Sequence, residues 1–157
     1  MITATKTNWA EKITETPSTL SEFLVYYEKE YEQVKSYTEV KGSVVLLLQY
    51  LPGQTEHVFG SLQEIESVLE VLHIKLKQLK RDKFITYLEG YRRMLSSRDA
   101  EKYAEGEQDV IDFELLTNSI ALIRNKYLSI MKALDQKSFT LSNLTKLKTA
   151  GMEDFYL

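Results

Sequence analysis

The chain contains no cysteine. That excludes a disulfide framework and any thiolate metal centre, and it suits a reducing, intracellular setting. Proline occurs only twice and glycine six times in 157 residues. A many-stranded sheet needs turn signals more often than that, so long helices are expected. The longest apolar run is residues 44–48, VVLLL. A membrane span takes about 20 apolar residues, so no membrane segment is expected. The opening MITATKTNWAEK has no apolar stretch of signal-peptide length. Together these absences lead us to expect a soluble, cytoplasmic protein.

Catalytic signatures are scarce as well. The two histidines, His57 and His73, are far apart and form no HExxH pair. There is no Walker lysine loop and no GxGxxG. Glu101, Glu105, Asp109 and Asp112 recur at near-helical spacing. They would suit a hard cation, or they form a solvated acidic face, and we read them as the latter. No nucleophile is set beside a base, so a non-enzymatic protein with no cofactor and no metal is expected.

What the chain does contain is helical periodicity. Hydrophobic residues make up 43% and charged residues 27%, enough apolar material for one domain with a core. Residues 1–17 lack period and read as a flexible N-terminal arm, with Trp9 and Ile13 as docking points. Thr19 and Glu22 have capping-box spacing and mark the first helix. Leu20, Phe23, Leu24, Tyr27, Tyr31 and Val34 follow at helical spacing. Gly42 is expected to kink this helix, which resumes over 44–51. Pro52-Gly53 then makes 51–60 a turn, and Ser61 with Glu64 a second capping box.

Two apolar seams stand out. Leu62, Ile65, Leu69, Leu72, Leu76 and Leu79 are spaced 3, 4, 3, 4, 3. Phe113, Leu116, Ile120, Ile123, Tyr127, Ile130 and Leu134 repeat the pattern. The first seam stops at Lys83, and Phe84, Tyr87, Leu88 and Tyr91 continue on a shifted stripe. Between the seams, residues 96–109 read as a polar loop or short helical turn. The expected fold is all-α: a long-helix antiparallel hairpin or bundle with a short closing helix near 140–150, ended by Gly151. The helical domain spans 18–151, and 152–157 form an acidic-aromatic tail.

Charge is unevenly placed. The net charge is −3, yet residues 71–98 alone carry a net +6, against −6 before them and −3 after them. The basic residues there are Lys75, Lys77, Lys80, Arg81, Lys83, Arg92, Arg93 and Arg98. Lys77, Lys80 and Arg81 share one side of a helix, with Lys83 near Lys80. Such a strip attracts phosphates by releasing their condensed counterions. Phe84, Tyr87 and Tyr91 offer flat faces on which unpaired bases stack. Cations beside rings is the chemistry of single-strand binding; no duplex-reading motif accompanies it. The other reading is a solvated face or a strip that meets an acidic protein.

Two stretches resemble a known family. LKRDKFITYLEGYRR (79–93) resembles the basic-aromatic segment of phage recombination mediators of the UvsY type. ALDQKSFTLSNLTKLKTAG (133–151) is similar to the family's C-terminal pattern at Ala133, Leu134, Lys137, Phe139, Leu141, Asn143 and Leu144. Residues 1–60 have no counterpart, and the tail EDFYL departs from the pattern. The resemblance implies a mostly helical homo-oligomer that binds single-stranded DNA. It further implies a partner role in loading a RecA-like recombinase onto strands covered by a single-strand-binding protein, in the host cytoplasm. It carries DNA contact to Lys80, Arg81 and Lys83. Lys77, Arg92 and Arg93 are added on charge, and Phe84, Tyr87 and Tyr91 as stacking rings. The alternative is a helical protein–protein adaptor or structural phage protein whose strip contacts an acidic partner.

Overall fold

A computed structural model describes residues 8–90 and 95–151. Among the described residues every regular element is helical and no strand occurs, so the all-α expectation holds. The order is α1 (Trp9–Glu15), α2 (Leu20–Lys35), α3 (Val44–Gly90), α4 (Ser97–Glu105) and α5 (Gln108–Thr149), with single 3-10 turns at Pro17–Thr19 and Ser36–Thr38. No helix among them is long and apolar enough to cross a membrane.

The frame is an antiparallel pair, α3 against α5. Lys80 and Lys83, late in α3, meet Glu114 and Asp109, early in α5. Leu51 and Phe59, early in α3, share a cleft with Met131 and Ser138, late in α5. The seams do the packing: Leu62, Ile65, Leu69 and Leu72 are buried on α3, and Ile120, Ile123, Tyr127, Ile130 and Leu134 on α5.

The break expected at 51–60 is absent, because α3 runs straight through Pro52. An internal proline forfeits one backbone hydrogen bond and costs about 3 kcal/mol. Leu51 and Val58 flank it and are buried in the core. Burying two such side chains contributes about 1.5–3 kcal/mol each, enough to offset the proline. The real break lies earlier: α2 ends at Lys35, and Gly42, at φ 91°, turns the chain between α2 and α3. The separate closing helix is likewise absent. No glycine or proline interrupts residues 134–150, and α5 continues to Thr149. Gly151, at φ 77°, then follows the C-cap as expected.

Within the described residues, the N-terminal segment is docked on the body. Residues 9–15 form α1, capped by the Asn8 side chain, which accepts from the Glu11 amide. Trp9 and Ile13 are buried, and the Trp9 ring meets Phe23 edge-on at 5.5 Å. Lys75 of α3 donates to the carbonyls of Ile13 and Thr14, at 3.0 and 3.3 Å. A cation there complements the negative end of α1. Residues 1–7 and 152–157 lie outside the described residues.

Neither capping box forms. The Thr19 hydroxyl donates back to the Thr16 carbonyl. Ser61 and Glu64 sit inside α3 and serve α2 instead. Ser61 donates to Glu30 at 3.2 Å, and the Tyr27 hydroxyl donates to Glu64. Glu30 also accepts from Tyr127 at 2.8 Å and pairs with His57 at 2.9 Å. Burial and these carboxylate acceptors push the phenols of Tyr27 and Tyr127 well above the usual tyrosine range. Lys137, 3% exposed, donates to the Tyr37 carbonyl at 2.6 Å and ties α5 to the 3-10 turn that follows α2.

Candidate nucleic-acid interface

The contiguous apolar core stops at Leu72 on α3. Beyond it, the last third of α3 meets α4 and the head of α5, and this tip carries the basic-aromatic run. The polar stretch 96–109 supplies α4. Ser96 caps that helix by accepting from the Asp99 amide. Ala100 and Ala104 form its buried stripe, and residues this small let the helix sit close to its neighbours.

A cleft of about 450 Å³ lies between α3 and α4. Lys80, Arg81 and Phe84 line it from α3; Ser97, Arg98, Glu101, Ala104 and Glu105 line it from α4. Phe84 is half-buried there. Arg98 contributes a cation to this cleft, although sequence reasoning counted it in the basic run without placing it among the site residues. The signal was available: Arg98 is the last cation of the +6 block and stands in the first turn of α4, just before that helix's acidic residues.

The remaining cations fall into two groups. Lys80 pairs with Glu114 at 2.5 Å and lies 3.9 Å from Glu105. Lys83 pairs with Asp109 at 2.7 Å and Glu107 at 3.5 Å. These carboxylates hold both ammonium groups above the ordinary lysine value, chiefly by accepting hydrogen bonds, Glu114 from Lys80 and Asp109 from Lys83. Lys83 in turn draws Asp109 below the usual carboxylate range. By contrast, among the described residues Arg81 pairs only with Asp82, its sequence neighbour, at 2.8 Å, and both side chains are well exposed. Lys77 is exposed, and neither Lys77 nor Arg98 has an ion-pair partner among the described residues.

Of the rings, Tyr87 stacks on Tyr103 of α4 at 5.5 Å with planes 26° apart, and its hydroxyl donates to Glu107. The structure thus brings Lys80, Arg81 and Phe84 into one cleft, sets Lys83 and Tyr87 against α4 and α5, and leaves Lys77 on the open face of α3. Tyr91, Arg92 and Arg93 lie outside the described residues. The acidic row is the counterpart of the basic one: Glu105 and Asp109 face Lys80 and Lys83. Among the described residues no group of three or more His, Cys, Asp or Glu side chains is arranged to hold a metal ion.

The chain matches no protein-family model, no curated protein and no solved structure.

Proposed function

We propose that this chain is a non-catalytic single-stranded DNA-binding protein of the recombination-mediator type. It acts as a homo-oligomer in the host cytoplasm and helps a RecA-like recombinase onto strands held by a single-strand-binding protein. One observation carries the DNA-binding part: Phe84 sits in a cleft flanked by Arg81 and Arg98. Among the described residues neither guanidinium pairs with a carboxylate of α4 or α5. A base stacked on Phe84 would gain about 1–3 kcal/mol, and the two arginines stand ready for the flanking phosphates. Several weak sites of this kind, joined in an oligomer, gain by avidity.

The test is a fluorescence-anisotropy titration of labelled poly-dT across a salt series, with light scattering to count subunits. Arg81→Ala with Arg98→Ala is expected to weaken binding about tenfold or more. It should also flatten the log–log salt slope by about 1.4, two single-strand phosphate contacts at about 0.7 each. Phe84→Ala should weaken binding without changing the slope. Absence of poly-dT binding at low salt would overturn the reading, and unchanged affinity and slope in the arginine variant would remove the cleft from it.

A second reading is a helical protein–protein adaptor. It is favoured by Leu115 and Leu122, seven residues apart on α5 and 60% and 58% exposed. An apolar pair one heptad apart suits a partner helix. That reading predicts no poly-dT binding even at low salt.

A further inference from the structure

We propose that the carboxylates of Glu114 and Asp109, seconded by Glu105 and Glu107, occupy Lys80 and Lys83 in place of DNA phosphates. The strand-binding strip is thus partly autoinhibited by its own neighbouring helices. This rests on the reading that the tip grips a single strand.

The geometry carries it. Each of the two lysines is met by two carboxylates, at 2.5 and 3.9 Å for Lys80 and at 2.7 and 3.5 Å for Lys83. The Lys83–Asp109 contact has the length of a charge-assisted bond, the kind a lysine also makes to phosphate, and the Lys80–Glu114 contact is shorter still. Four negative groups around two positive ones leave this patch with a local net charge of −2. An approaching strand is repelled there until phosphate oxygens replace the carboxylates. Arg81, Arg98 and Lys77 are not held in this way, so they make the first encounter.

The exchange has a built-in recipient. Asp109 stands at the start of α5 and already accepts from the Val110 amide at 3.0 Å. The positive end of the helix keeps that carboxylate satisfied when Lys83 leaves. Side-chain rotation alone therefore frees the lysine, and no helix needs to move. The raised position of both ammonium groups keeps them charged throughout the neutral range, so the control is competition rather than proton loss.

The decisive comparison pairs Glu114→Gln/Asp109→Asn with a charge-matched control at the far end, Glu56→Gln/Asp135→Asn. Both remove two negative charges, but Glu56 and Asp135 line the distant cleft. Binding of labelled poly-dT is measured across the same salt series, with a thermal melt of each protein. The tip variant is expected to bind about tenfold tighter at low salt, with a slope steeper by about 1.4 from two freed lysines. The control should change affinity less than twofold.

Equal tightening in both variants overturns the inference, since net charge alone would explain it. No tightening in a folded tip variant also overturns it. If the arginine variant still loses affinity in that case, the single-strand reading survives the loss. Tightening by the tip variant with no effect of the arginines supports the competition and removes the cleft from the reading. Absence of binding by every protein overturns both. Should the double variant melt early, Glu114→Gln alone is expected to give about half the change in slope.

Discussion

The two ends of the long helical pair are held together by different physics. In the body, α1, α2, the first part of α3 and the last part of α5 share one apolar cluster. Its largest buried members include Phe23, Tyr27, Ile65 and Tyr127. In the tip, the buried side chains are small, such as Ala100, Ala104 and Val110, and the contacts named are ion pairs and one ring stack. Apolar burial is hard to disturb and offers nothing to a charged ligand. Partly exposed ion pairs are individually weak and exchange readily with an outside anion. A chain that needs a fixed scaffold and a negotiable surface gains by separating the two along one helix.

The sharpest way to test that contrast is to open the body. Phe23 is fully buried and packs on Trp9 and Tyr27, at 5.5 and 4.7 Å between rings. Phe23→Ala should cost about 3–5 kcal/mol in urea or guanidinium unfolding. A loss below about 1 kcal/mol would mean that the body is not the anchor described. Next comes its polar node. Glu30 accepts from Tyr127 and Ser61 and pairs with His57. Glu30→Gln turns an amide nitrogen toward donors, and a cost of about 1–3 kcal/mol is expected.

The body should also be the alkali-sensitive half. Tyr27 and Tyr127 keep their protons in the folded state well above the usual range. In the unfolded chain they ionise near pH 10. Above that pH the unfolded state binds fewer protons than the native state, so stability falls as pH rises. The expected loss is about 1.4 kcal/mol per pH unit for each tyrosine. Tyr27→Phe with Tyr127→Phe should flatten the stability profile between about pH 10 and 11. An unchanged profile would show that these phenols are not held as described.

The body was largely legible in the sequence, and the tip only in part. Burial at spacings of three and four leaves a periodic trace, so both seams could be read from one dimension, whereas Trp9 and Ile13 show only as isolated apolar residues in a stretch without period. Where local signals and tertiary burial conflicted, burial prevailed: Pro52 looks like a breaker, and Ser61 and Glu64 look like a cap, yet all three lie inside α3. The partners of Lys80 and Lys83 leave no periodic trace. Glu114 and Asp109 become their neighbours only when the antiparallel register of α3 and α5 is known. A basic block next to an acidic one is visible in the sequence, where it reads as a ligand site beside a solvated face. The structure sets one against the other.

The smallest effect expected is the one that bears most directly on the tip. Lys80 is 34% exposed in its side chain and Glu114 41%. At that exposure water screens the pair, and ordering two long side chains offsets part of the attraction. Lys80→Ala should therefore lower unfolding stability by no more than about 1 kcal/mol, and less at high salt. The same substitution removes one cation from the proposed strand site, so poly-dT binding should weaken while the melt hardly moves. A stability loss above about 2 kcal/mol would place Lys80 with Phe23 as a structural anchor. The division between a fixed body and an exchangeable tip would then fail at the residue where it matters most.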